Sequence, residues 1–160
     1  MDVSFERSHQ GKDEWITPPY LIRTLGVFDL DPCAAINQPF RTAQKQYTIL
    51  DDGLCKPWIG RVWLNPPYGK KTKKWMWKLA NHGNGIALIF ARTETQTFFE
   101  HIWPKADAIM FLKGRLRFYH SNGFRAENSA GAPSCLIAYG QNNADALSVC
   151  SLEGKFIKLK

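Results

Sequence analysis

Paired metal-ligating residues are absent from this chain. Its four cysteines, Cys33, Cys55, Cys135 and Cys150, never form a C-x-x-C pair, and its four histidines, His9, His82, His101 and His120, are equally dispersed. That spacing gives neither a zinc ribbon nor a disulfide framework, so we expect no metal site. The cysteines read as buried reduced thiols of a cytosolic protein. No apolar run approaches the ~20 residues of a spanning helix, and the polar start Met1 to Gln10 is no signal peptide. Repeats, low-complexity tracts and heptads are missing as well. Acidic residues are scarce: 14 Asp and Glu stand against 21 Lys and Arg, a net charge of +7. That imbalance favours a polyanionic partner, nucleic acid before an anionic membrane.

What is present suffices for one domain with a sizeable core, since 44 % of the 160 residues are hydrophobic and 13 % aromatic. Residues 1–12 read as a flexible arm and 13–160 as a single domain. Thr17 is placed to cap a helix that starts at Pro18 and runs through Leu21 and Leu25. Short strands are expected at Val27–Leu30, Gln46–Leu50 and Arg61–Leu64. A helix follows over Lys71–Asn81, with Trp75 and Leu79 on one face and lysines on another. Ile86–Phe90 is a fully apolar strand, Thr95–Trp103 a helix stopped by Pro104, and Ala108–Leu112 a strand. Arg115–Tyr119 reads as a further strand and His120–Ser134 as a mobile polar loop. Cys135–Tyr139, Asn142–Leu147 and Phe156–Leu159 complete the chain as strand, helix and strand. Alternating strands and helices predict an α/β sandwich on a mostly parallel sheet, with an antiparallel C-terminal edge. In such sheets ligands bind at the carboxyl ends of the strands. Asp31, Asp51 or Asp52, Asn65 and Arg92 all follow apolar runs, which predicts that they share one rim.

Asn65-Pro66-Pro67-Tyr68 carries the most chemistry. An apolar run ending in Asn-Pro-Pro reads as a buried strand entering a rigid loop. The prolines fix φ and remove donors, so the loop offers carbonyls, one amide and one phenol ring. Such a set suits a planar exocyclic amine. Asn65 Oδ1 and the Pro66 carbonyl can each accept one N–H, while Tyr68 stacks on the ring that carries the amine. Acceptors off the ring plane favour a pyramidal nitrogen whose lone pair points at an electrophile. No base is needed before attack. An ordinary Asn-Pro turn after an edge strand is the plainer alternative.

The chain resembles the phage and prophage DNA N6-adenine methyltransferases of the Dam type. The resemblance rests on blocks in the family's order: Asp13-Glu14-Trp15-Ile16-Thr17-Pro18-Pro19, Phe28-Asp29-Leu30-Asp31-Pro32-Cys33-Ala34, Asp52-Gly53-Leu54, Val62 through Gly69, Ala91-Arg92-Thr93 and Gly114 through Phe118. It spans about Asp13 to Gly140. It implies an abbreviated Rossmann-like methyltransferase sandwich, S-adenosylmethionine as cofactor, and double-stranded DNA as substrate, with GATC as a candidate site and base flipping as the route. The implied compartment is the cytoplasm of a bacterial host. Asp31 with Pro32 would hold the cofactor ammonium. Thr17 and the backbone at Pro18 would meet its carboxylate. Asp51 or Asp52 would bind its adenine or ribose, Trp15 and Trp58 would wall it, and Asn65 borders it. Lys70, Lys71, Lys73 and Lys74 are expected on phosphates. Arg115, Arg117 and Arg125 are expected near base edges, and Arg92 is assigned to DNA as well. Tyr68, Trp15 and Phe118 are candidates to receive an extruded adenine.

The chain departs from that pattern in one place. Where many adenine methyltransferases carry a Gly-rich loop after the first strand, it reads Cys33-Ala34-Ala35-Ile36. The interval from Asp31 to Asp51 is also short. Two other readings stand beside the first: a methyltransferase for RNA bases or protein glutamine amides, and a DNA-binding relative that has lost catalysis. Oligomeric state is not encoded in any feature of the sequence.

Overall fold

The computed structural model describes residues 15–160; the arm assigned to residues 1–12 and the pair Asp13-Glu14 lie outside them. Helix α1 (Pro19–Leu25) leads to β1 (Leu30–Asp31) and β2 (Lys45–Gln46), and then to β3 (Val62–Leu64). Helix α2 (Thr72–His82), β4 (Gly85–Phe90), a π-helical turn (Phe98–Ile102) and β5 (Ala108–Leu112) follow. The chain closes with β6 (Ser134–Tyr139), α3 (Gln141–Val149) and β7 (Gly154–Lys158). The seven strands form one sheet in the order β2-β1-β3-β4-β6-β5-β7. Pairing is parallel from β2 to β4 and antiparallel across β4–β6, β6–β5 and β5–β7. Strands β1 to β5 therefore point one way, and their carboxyl ends meet on one rim. The expected mixed α/β sandwich with an antiparallel C-terminal side is what the chain forms.

Period-two burial explains the layers. On β4, Ile86, Leu88 and Phe90 face one cluster, with Leu21 and Leu25 of α1, Trp63, Met110, Leu136, and Ala144 and Leu147 of α3. Ala87 and Ile89 face the other, with Trp75, Met76 and Leu79 of α2, Phe98, Ile102 and Ile137. A strand covered on both sides has no polar face, hence the unbroken run Gly-Ile-Ala-Leu-Ile-Phe. No helix among the described residues is long and apolar enough to cross a membrane.

Several local expectations are corrected. Thr17 does not cap α1: Pro18 occupies the cap position in an extended conformation, Pro19 is the first helical residue, and no side chain caps the helix. Strand β2 is only two residues long, because the chain reverses where Thr48 N–H donates to Asp51 Oδ2 at 2.8 Å. The helix expected over 95–103 forms over residues 96–102, but its body, Phe98–Ile102, is π-helical rather than α-helical. Residues 115–119 make isolated bridges rather than a strand, Ile16 to Tyr119 and Tyr119 to Arg125. The polar stretch that follows is tied down: Ala126 and Ala130 donate to the Phe118 and Leu116 carbonyls, and all four residues are buried.

Candidate active site

A cavity of about 990 Å³ opens at the carboxyl ends of the parallel strands. Asp31 ends β1 and Asn65 follows β3. Both line the cavity, with Trp15, Thr17, Pro32, Asp52, Pro66, Pro67, Tyr68, Lys70, Lys71 and Lys74. Pro18, Asp51, Lys73, Arg92, Arg115, Arg117 and Arg125 do not line it.

Asp31 is 3 % exposed. Its Oδ1 accepts the Cys33 N–H at 3.0 Å, and its Oδ2 accepts the Thr42 hydroxyl. Burial pushes its carboxyl up to about 6, against the pull of the Thr42 hydroxyl and the Cys33 N–H. No described Lys or Arg pairs with it. A buried carboxylate held by two donors but lacking a cation is a site waiting for positive charge. Thr42 is itself held. Gln38 Nε2 donates to its hydroxyl at 3.1 Å and to Gln46 Oε1 at 2.9 Å, while Gln46 Oε1 accepts the Thr42 N–H at 3.1 Å. Gln38 Oε1 accepts the Ala35 N–H at 3.1 Å. This glutamine and threonine lattice shapes the segment after β1, where the sequence carries no Gly-rich loop.

The Asn65 amide has a defined orientation. Its Nδ2 donates to the Thr17 hydroxyl at 3.2 Å and to the Trp15 carbonyl at 3.4 Å. A carbonyl can only accept, so the nitrogen must face residues 15–17. Oδ1 is buried and has no partner among the described residues. An orphan acceptor on a cavity wall is the group a donor-bearing ligand would satisfy. The following loop is pinned where Thr72 Oγ1 donates to the Pro67 carbonyl at 2.7 Å, and no described donor reaches that of Pro66. Tyr68 is only 6 % exposed. Phe90 stacks on one face of its ring at 4.0 Å, and Phe118 meets it edge-on at 6.5 Å. Its phenol is pushed far up by burial and stays protonated. Phe118 is fully buried behind it. The sequence had offered Phe118 as a base receiver; it is core.

The structure separates the two aspartates. Asp51 is spent in the Thr48 turn, whereas Asp52 lines the cavity. Asp52 holds φ 56°, the left-handed region that aspartate tolerates better than most residues. Its neighbour must be glycine: a Cβ on Gly53 would lie 2.0 Å from the Pro32 carbonyl oxygen. This approach joins the loop after β2 to the end of β1. Trp58, expected as a cofactor wall, is buried behind that loop. Its Nε1 donates to the Gly53 carbonyl at 2.8 Å and its ring stacks on Trp75. Trp75 reaches the cavity instead. Lys78 braces the same turn from α2, donating to the Leu54 carbonyl at 2.7 Å.

The basic residues divide. Lys70, Lys71 and Lys74 border the cavity, but Lys73 turns away to pair with Glu100 at 3.0 Å. Arg117 is consumed by its own loop, donating to the Ala126 carbonyl at 3.0 Å and to that of Glu127. Two of its five N–H groups are thereby committed to loop carbonyls. Arg92 lies over the Phe90 ring at 5.9 Å, the ring that also carries Tyr68. Arg115 and Arg125 are exposed.

Sequence reasoning missed Gln38, Thr42, Thr48, Ile49 and Trp75 on the cavity wall. Only the polar pattern Gln38, Thr42, Gln46 at intervals of four hinted at the lattice. Among the described residues no group of three His, Cys, Asp or Glu could hold a metal ion. A family model described as DNA N-6-adenine-methyltransferase (Dam) matches residues 6–156. No curated protein and no solved structure matches the chain.

Proposed function

The chain belongs to the DNA N-6-adenine-methyltransferase (Dam) family, and from that premise we propose that it methylates the exocyclic N6 of adenine in a short duplex DNA site, with S-adenosylmethionine as donor and the target base flipped into the cavity. The observation that carries the reading is Asn65: its amide nitrogen is bound from behind and its buried Oδ1 has no partner among the described residues. A flipped adenine supplies the N–H that this acceptor lacks.

The residues fit the cofactor. Asp31 is a buried carboxylate without a cation, which an ammonium group would satisfy. Asp52 offers an acceptor to a ribose or an adenine amine, and Trp75 offers an apolar wall. When bound, S-adenosylmethionine supplies a methyl group on a sulfonium, which leaves as a neutral thioether.

The remaining work falls to the chain itself. Asn65 Oδ1 and the Pro66 carbonyl accept the two N6 hydrogens. They draw them out of the ring plane, so the nitrogen lone pair is released from the ring and aimed. The low-dielectric wall strengthens both bonds. Tyr68, locked against Phe90, presents the rest of its ring to the base and cannot swing away. Being held protonated, it takes no part as a base. The proton on N6 becomes acidic only once the amine is alkylated, and leaves to solvent or through the Asn65 acceptor. Lys70, Lys71 and Lys74 at the mouth meet phosphates beside the extruded nucleotide.

The test is transfer of labelled methyl to unmodified DNA, RNA and protein in parallel, followed by mapping of modified bases on each strand. N6-methyladenine at one short DNA sequence is expected. Label on RNA or protein alone would sink the reading; so would cofactor binding with no transfer at all.

A further inference from the structure

A second cavity, of about 310 Å³, shares no lining residue with the first and takes no part in the chemistry above. Leucines 21, 112, 116 and 152 wall it, with Lys113 and Glu153. Leu112 ends β5, and Gly154 begins β7 beside it in antiparallel register. The cavity therefore sits on the rim made by the carboxyl ends of the strands, the rim that carries Asn65. Three strand spacings separate β5 from β3. At about 4.8 Å each they amount to ~14 Å, the length of about four base-pair steps. Burial raises the Tyr20 phenol on the cavity wall and the Arg125 charge lowers it, which puts Arg125 close by.

The backbone here is fixed and the charged heads are free. Lys113 N–H donates to the Glu153 carbonyl at 3.0 Å. A Cβ on Gly154 would lie 2.3 Å from the Phe111 carbonyl oxygen, so the two strands leave no slack between them. Thr24 Oγ1 accepts the Ser151 N–H at 3.1 Å, which ties the turn before β7 to α1. Above this frame Lys113 Nζ and Glu153 Oε2 stand 3.3 Å apart, with side chains 76 % and 78 % exposed. An ion pair so exposed adds little to stability, so its heads can exchange each other and water for a ligand at little cost. A carboxylate on a DNA-facing rim repels phosphate. Base edges, which carry amine donors, give it a partner.

We propose that Lys113 and Glu153 read one G·C pair of the recognition site in the major groove, Lys113 on guanine O6 and N7 and Glu153 on the cytosine N4 amine. The proposal rests on the DNA-adenine reading above. An ammonium suits the two guanine acceptors and a carboxylate suits the cytosine donor. Guanine O6 and cytosine N4 are hydrogen-bonded to each other, about 2.9 Å apart, so a cation and a carboxylate 3.3 Å apart meet both at once. Reversing the base pair sets ammonium against amine and carboxylate against carbonyl. A T·A pair keeps the order of acceptor and donor, but it has a methyl group in place of the second acceptor that guanine N7 provides. The two heads thus select one pair in one orientation.

The test uses the whole chain with cofactor and a duplex carrying the site mapped from its own methylated DNA. That site should hold a G·C pair within about four steps of the target adenine. Wild type should methylate it roughly 5- to 150-fold faster than a duplex with that pair reversed, the range for one good base contact. Lys113→Met and Glu153→Ala should each lose most of this preference and keep those at other positions. Replacing the guanine by 7-deazaguanine should slow wild type but leave Lys113→Met no slower. Replacing the cytosine by 2-pyrimidinone, which lacks the amine, should slow wild type but leave Glu153→Ala no slower. Unchanged cofactor affinity by calorimetry reports an intact fold. A mapped site without G·C, a preference retained in both variants, an equal loss on every sequence, or a wild type indifferent to both analogues overturns the base-pair assignment alone. A wild type that methylates no adenine in any DNA overturns the underlying reading, and the assignment with it.

Discussion

Replacing Thr17 by valine asks whether its hydroxyl orients Asn65 or touches the cofactor. Valine keeps the shape of this residue, which is 3 % exposed, and deletes its acceptor. The Asn65 amide would then keep one anchor, the Trp15 carbonyl at 3.4 Å, in place of two. One such neutral hydrogen bond is worth about 1 kcal/mol net. A complete flip would press Oδ1 against the Trp15 carbonyl, so the amide becomes loosely held rather than inverted. Since 1.4 kcal/mol is a factor of ten, we expect methyl transfer in Thr17→Val to fall roughly 5- to 20-fold in a single-turnover assay at saturating cofactor. Cofactor affinity by calorimetry should stay near wild type. Thr17→Ser should restore the rate. Asn65→Ala, which removes the acceptor itself, should fall at least ~100-fold, and adding Thr17→Val to it should cost nothing more. If Thr17→Val instead weakened cofactor binding while leaving the transfer step intact, the hydroxyl would be a cofactor ligand and the orienting argument would be wrong.

Four further outcomes are expected. The Asp31 carboxyl, raised to about 6 in the folded chain, holds its proton more tightly folded than unfolded. Its favourable share of stability is complete below about pH 4 and is lost by about pH 6, up to roughly 3 kcal/mol for two units. A cationic ligand should reverse this, so cofactor affinity should climb as pH rises through 6 with proton release, seen by calorimetry in buffers of different ionisation enthalpy. Asp31→Asn should weaken cofactor binding, flatten that pH dependence and stabilise the ligand-free fold at neutral pH; an unchanged pH profile would remove Asp31 from the site. Neutralising Lys70, Lys71 or Lys74 should lower the slope of log affinity for DNA against log salt by about one, whereas Lys73→Ala, already paired with Glu100, should change it less; equal effects would count against the division. Arg117→Ala should lower the melting temperature by releasing two loop carbonyls, whereas Arg115→Ala and Arg125→Ala should leave it unchanged and weaken DNA binding. Lys78→Met should weaken cofactor binding by about 1–2 kcal/mol through the Gly53 turn it braces, and full affinity in that variant would show the turn to be self-supporting.

Local and periodic signals were legible in the sequence. Apolar runs marked β3 to β6, and the Trp75 and Leu79 spacing marked α2, because each segment is buried in the pattern its own geometry dictates. The Asn-Pro-Pro-Tyr loop was legible for the same reason: prolines after an apolar run restrict the backbone whatever surrounds it. Side-chain roles fixed by tertiary partners were not. Thr17 before two prolines reads as a helix cap, and only the return of β3 beside it reveals that its hydroxyl meets Asn65, 48 residues away. Arg117 and Arg125 look alike in sequence, yet one is spent on carbonyls of its own loop and the other is exposed. The span after Asp31 shows why motif reading stopped short there. A glycine-rich loop is recognised because it needs glycines, whereas here Gln38, Thr42 and Gln46 hold the chain through side-chain bonds that leave no residue type obligatory. The glycine that is obligatory beside this segment, Gly53, belongs to the loop after β2, where it admits the Pro32 carbonyl. The close packing that a glycine-rich loop would supply at the end of β1 is therefore supplied from the neighbouring strand, and that is how so short a segment still closes a cavity around Asp31.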